Sequence, residues 1–222
     1  MGSIVGEILP LAVGIAISPV PIIAAILMLL SPKAKGTSVG FLVGWLVGII
    51  TAIVIFTLLS SVLPQAEDGP STVAGVIKIV LGVLLLLMAV KQWRSRPAKG
   101  ETATLPNWMT AIDSMTPAKG LVLGFLLSAV NPKNLLMAAS AGLVIGGAAV
   151  SLGETIAVIA IFTVIAGSTV LVPVIAYLAA SAKMAAPLGR LREWLVDNNA
   201  TIMAVLLLII GVSVIGKGIG SL

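Results

Sequence analysis

The sequence predicts an all-α polytopic membrane protein: six transmembrane helices forming two inverted three-helix repeats, with helices 1 and 4 broken. Three observations carry this expectation. Of 222 residues, 59% are hydrophobic and 9% charged, whereas a soluble domain carries about 25% charge. Apolar stretches near the roughly 20 residues needed to cross a hydrocarbon core recur along the whole chain, and mean hydropathy is +1.20. Proline-centred breaks, Ser18-Pro19-Val20-Pro21 and Asn131-Pro132-Lys133-Asn134, interrupt the first and fourth of these stretches.

Composition also excludes chemistry. Cys and His are both absent, which removes thiol redox steps, disulfides, imidazole metal sites and histidine proton relays. No metal and no cofactor are expected. The net charge of +5 is read first as a topology signal. Met1-Gly-Ser-Ile-Val-Gly6 lacks the basic region of a signal peptide and the Ser or Thr of a myristoylation motif, so the first span is expected to be retained.

Span 1 covers about residues 4–30. Pro19 and Pro21, one residue apart, cannot both fit an unbroken helix. Pro32, Lys33 and Lys35 end the segment, and Thr37-Ser38 offers a cap for the next helix. Span 2, about 38–63, carries Gly40, Gly44 and Gly48 at four-residue spacing, a stripe read as helix packing. An acidic turn, Gln65-Ala-Glu67-Asp68-Gly-Pro70, precedes span 3 at about 72–90. Lys78 lies two turns inside that span and is expected to snorkel toward the turn.

Residues 91–120 form the one long hydrophilic segment. Within it, Trp108, Ile112 and Met115 share a face behind an Asn107 cap, as in a short helix lying on the membrane surface. Span 4 is the broken stretch ending at Gly146-Gly147. Span 5, about 154–180, contains Pro173, read as a kink. Lys183 to Asp197 reads as a polar connector, and span 6 covers about 199–220.

Charge fixes the expected orientation. Lys33, Lys35, Lys91, Arg94, Arg96, Lys99, Lys119, Lys183, Arg190 and Arg192 fall on one side, while Glu7, Glu67, Asp68 and Glu154 fall on the other. The positive-inside rule places the ten cations in the cytoplasm. The expected location is the plasma (inner) membrane, with both termini outside and loops 31–37, 91–120 and 181–198 cytoplasmic. The divisions are 1–92 for the first repeat, 93–120 for the basic loop and 121–222 for the second repeat.

Candidate site residues come from the two breaks: Ser18, Pro19, Pro21, Ser128, Asn131, Pro132, Lys133 and Asn134. Proline frees carbonyls of the preceding turn, and in hydrocarbon these survive only against protein or a water-lined cavity. Lys133 lies 14 residues past Lys119, roughly 20 Å at helical rise, beyond the middle of a core about 30 Å thick. A lysine there costs roughly 2.5–3.5 kcal/mol on insertion scales, which argues for a polar centre against simple snorkelling. The ammonium suits a carboxylate or phosphate, and the amides and hydroxyls suit neutral hydrogen bonds.

Gly14-Ile-Ala-Ile-Ser18-Pro-Val-Pro21 parallels Gly124-Phe-Leu-Leu-Ser128-Ala-Val-Asn131-Pro132 in glycine-to-serine spacing and in the proline that comes after. Three spans per half would insert the second half upside down, the pattern of secondary transporters. The breaks are expected to face each other across one cavity, Ser18 toward Asn131.

The proline-rich first span, the basic loop and Asn-Pro-Lys in the fourth span resemble the LysE superfamily of exporters. The run Leu105-Pro-Asn-Trp108-Met-Thr-Ala-Ile-Asp113, leading to Gly124-Phe-Leu-Leu-Ser-Ala-Val-Asn131-Pro-Lys-Asn134-Leu, is similar to the GAP (peptidoglycolipid-addressing protein) family. That resemblance implies a six-span inner-membrane protein linked to export of cell-envelope glycolipid. Ser18-Pro-Val-Pro21 lacks the glycine between prolines expected of the amino-acid exporter branch.

The expected function is outward secondary transport of an envelope lipid or another amphipathic or anionic small molecule. Amino-acid or cation export of LysE type, and a non-transporting scaffold for lipid delivery, are the alternatives. The spans hold too few convergent acids and bases for an enzyme. Expected partners are membrane lipids, the transported molecule and a second copy in a homodimer, with no nucleic acid.

Overall fold

At both breaks proline begins a helix as well as ending one. Ser18, Thr116 and Asn131 each occupy an N-cap with proline in the first turn behind it. First-turn amides have no intrahelical acceptor, so a residue without an N–H is tolerated there. Pro21 falls on the third helical position, still within that turn, and both prolines of the first break are accommodated.

The computed structural model describes residues 1–61, 72–96, 112, 115–148 and 150–222. Its helices are α1 (Gly2–Ala16), α2 (Pro19–Leu29), α3 (Ala34–Ser61), α4 (Thr72–Arg94), α5 (Pro117–Ala129) and α6 (Pro132–Gly146). A long helix, Leu152–Ile219, comes next, with non-helical backbone at Ala180 (φ −149°, ψ 55°). It divides there into α7 (Leu152–Ser181) and α8 (Lys183–Ile219). Helices α3, α4, α7 and α8 are long and apolar enough to cross a membrane. The pairs α1/α2 and α5/α6, bent by 50° and 59°, raise the number to six if each is one span.

Glycine seams set the packing. Added Cβ atoms at Gly40 and Gly44 would overlap the carbonyl oxygens of Pro117 and Leu121, and one at Gly48 would overlap Ser128 Oγ. From the other side, Gly120 and Gly124 meet the backbone of Thr37 and Phe41. The stripe read from the sequence is thus half of a two-sided seam joining α3 to α5 and the second break. Gly142 and Gly146 continue it on α6, against Phe56 and Thr57. A second seam, with Gly75 and Gly82 against Gly218 and Gly211, joins α4 to α8. Small residues let backbones approach where apolar burial gives no drive, because lipid is as apolar as leucine.

Several expected boundaries are corrected. The segment 181–198 is not a loop but the first turns of α8. Leu188 and Leu195, two turns apart, are buried while Arg190 and Glu193 face outward, so an amphipathic helix hides in a segment of merely polar composition. Thirty-seven residues make α8 about 55 Å long, well beyond a 30 Å core. Helix α3 starts at Ala34, inside the expected loop 31–37; α4 runs to Arg94 and α5 starts at Pro117, trimming the expected loop 91–120. Pro173 lies inside α7, and the non-helical backbone that divides the long helix falls at Ala180. Ile112 is 2% exposed and packs in the core; Asn107 and Trp108 of the expected surface helix, and the acidic turn at 65–70, lie outside the described residues.

The seam makes a direct prediction. Gly44→Ala should destabilise the protein by about 1–3 kcal/mol, since its Cβ meets backbone that cannot step aside. Gly216→Ala, with nothing within 4 Å of the added Cβ, should be neutral or stabilise by up to about 1 kcal/mol. Unfolding in mixed detergent measures both, and equal effects would contradict the seam.

Candidate functional site

A helix that stops inside a protein leaves its last carbonyls without donors. At the end of α1, Ile17 N–H turns back to Val13 O at 2.9 Å and Ser18 N–H to Ile15 O at 3.2 Å. Gly14 O is thereby skipped. Lys133 Nζ, from the first turn of α6, donates to it at 3.1 Å. The carbonyl of Ala16 accepts from Thr169 Oγ1 of α7. At the second break, Leu127 O of α5 accepts from Asn134 Nδ2 at 2.9 Å. Three carbonyls exposed by the breaks therefore meet three side-chain donors, two of them from the Asn-Pro-Lys-Asn run.

The first contact is also electrostatic. The C-terminal end of α1 carries the negative pole of its helix dipole, and the Lys133 ammonium sits against it. Lys133 is 3% exposed. Among the described residues the one ion pair is Lys217–Glu7, at 3.6 Å, so Lys133 has no carboxylate partner there. Its Nζ makes one hydrogen bond and keeps two N–H groups without acceptors among the described residues. Asn134 Oδ1 is likewise buried without a donor. The junction thus keeps spare donors on a cation and a spare acceptor beside it. That is the chemistry of an anion carrying neutral hydroxyls.

The remaining sequence-predicted residues fall around this point. Ser18 is 3% exposed and caps α2 through its extended backbone alone. Pro19 and Pro21 are buried in the first turn of α2. Ser128 donates to Gly124 O and Phe125 O of its own helix and packs on Gly48. Asn131 is partly exposed and its Oδ1 accepts from Lys133 N–H at 3.1 Å. Pro132 is exposed. The link between the breaks consequently runs through Lys133 and Gly14, where Ser18 and Asn131 were expected to face each other.

Thr169 and Gly14 carry functional contacts that sequence reasoning missed. The only signal was the small polar run Gly167-Ser168-Thr169 in the middle of an apolar span. A second polar cluster joins the first turns of α1 to the last turns of α8. Lys217 Nζ donates to Glu7 O at 3.0 Å, beside Pro10, whose missing N–H loosens that turn. Lys78 donates to Ser221 Oγ at 3.3 Å. These groups line a shallow cleft with Ser140 and Ser213.

The family described as Sap, sulfolipid-1-addressing protein, matches residues 8–220. The chain belongs to this family. Its match covers both breaks and every helix described, and it carries the lipid-addressing character that the GAP resemblance implied. No curated protein matches, and no solved structure matches.

Thr169→Val keeps the shape of the side chain and removes the donor to Ala16 O. It should lower stability by about 1 kcal/mol, read as a shifted unfolding midpoint in detergent. An unchanged midpoint would mean that the first break is not held by this bond.

Proposed function

We propose that this chain is a plasma-membrane exporter that moves an anionic envelope lipid outward past the junction of its two broken helices. The observation that carries the reading is Lys133: a buried ammonium with spare donors and no carboxylate among the described residues, set between the breaks. The family is named for a sulfolipid, and the headgroup of such a lipid offers an anion for it.

In this reading the six passages are two inverted repeats of LysE type. Two features support it. The contacts Gly75–Gly218 and Gly82–Gly211 interchange when α4 and α8 are exchanged. Each break is also met by the second span of the other half, Thr169 at Ala16 and Gly48 at Ser128. With the cation-rich ends inside, both termini face outward.

In this mechanism the Lys133–Gly14 bond closes the junction in the absence of substrate. A headgroup anion competes for the ammonium, Gly14 O is released, and α1 and α6 are free to shift relative to each other. The anion shifts the population only through its stronger bond to the freed ammonium. The chain itself makes and breaks no covalent bond, and its partners are lipids.

The test is movement of a sulfated glycolipid across vesicles holding the purified protein. Single cysteines near Gly69 and Lys99, read with an impermeant thiol reagent, give the insertion direction. Lys133→Met should fold and insert yet lower transport more than tenfold. Lys133→Arg should recover little, because a planar fork replaces a compact ammonium. Transport at the normal rate by Lys133→Met would overturn the role of the junction, and no transport by the parent chain would overturn export.

A further inference from the structure

A lateral groove lies between α4 and α6. Leu84, Leu87 and Met88 form one wall and Leu135 and Leu136 the other, with a volume of about 460 Å³. It is apolar apart from Lys91, in the last turn of α4. Pro132, the exposed first residue of α6 and the chain neighbour of buried Lys133, also lines it.

We infer that this groove takes an acyl chain of an anionic lipid from the membrane leaflet on the Arg94 side, with the headgroup paired to Lys91. Leu84 to Lys91 is seven residues, about 10 Å along α4, against a half-core of about 15 Å. A chain lying there runs inward from the headgroup level, as it would in the leaflet. Lys91 and Arg94 share the final turn of α4, so the charged end is more complementary to a net-anionic headgroup than to a zwitterionic one, whose phosphate is already offset by its own cation. Leu84 and Leu87 are exposed, at 42% and 61%, so no other helix among the described residues covers this wall.

The position of Pro132 gives the groove its significance. An anionic lipid seated there lies beside the second break, one residue from the ammonium that holds Gly14. The groove is then the side entrance through which the exported lipid reaches the junction, and in this respect the proposal rests on the export reading above.

Phosphatidylglycerol bearing a photoreactive group on one acyl chain tests it, in vesicles of otherwise zwitterionic lipid, with labelled peptides identified by mass spectrometry. Labelling should concentrate on 84–88 and 132–136, exceeding that of the equally lipid-exposed Leu208 and Ile209 of α8 several-fold. Lys91→Glu should reduce groove labelling several-fold, and photoreactive phosphatidylcholine should label the groove no more than α8. Even labelling of all outward faces, or equal labelling by the two lipids, would overturn the proposal. Concentrated, charge-dependent labelling by a chain that moves no lipid would support the groove while refuting export, so the two readings fail separately.

Discussion

A backbone carbonyl inside a membrane must find a donor, and this chain exposes such carbonyls twice, at the ends of α1 and α5. Water is absent from the hydrocarbon core, and each unsatisfied group there costs several kcal/mol. The donors come from side chains distant in sequence: Lys133 reaches Gly14 across 119 residues and Thr169 reaches Ala16 across 153. Only at Leu127 does the donor, Asn134, come from nearby. The breaks therefore hold the two halves of the molecule together. The glycine seams bring the helices close enough for these bonds to form.

Of the three donors, the lysine is the expensive choice. A hydroxyl or amide would satisfy Gly14 O without burying a charge. Lys78 and Lys217 behave differently: they sit near helix ends and reach Ser221 and Glu7. Lys133 has no such escape. Buried ammonium groups with one neutral acceptor are disfavoured unless a partner anion arrives or the site moves. Among the described residues, one carbonyl acceptor offsets the burial of Lys133 only in part.

Much of this was legible in the sequence. Prolines marked both breaks, counting residues from Lys119 put Lys133 at depth, and the four-residue glycine spacing predicted close packing on α3. Three things were not legible. Thr169 is one hydroxyl in a long apolar span, and its value depends on where α1 ends in space. The first turns of α8 looked like a connector because arginines dominate them, while the periodicity of Leu188 and Leu195 is short. The pairing of Ser18 with Asn131 was inferred from equal depth and from the complementarity of a hydroxyl and an amide. Depth fixes neither rotation about the helix nor which polar group is already occupied, and Asn131 is occupied by its own helix cap.

The proposed export route turns on one ammonium exchanging a carbonyl for an anion. Nitrogen NMR of ¹⁵N-lysine-labelled protein in nanodiscs tracks that group directly, with Lys133→Arg supplying the assignment. In zwitterionic lipid the Lys133 ammonium should be shielded from solvent exchange, unlike Lys91. A sulfated glycolipid should shift its resonance, and the unsulfated glycolipid should leave it in place. An unchanged Lys133 signal under conditions where the sulfated lipid is demonstrably transported would contradict the exchange.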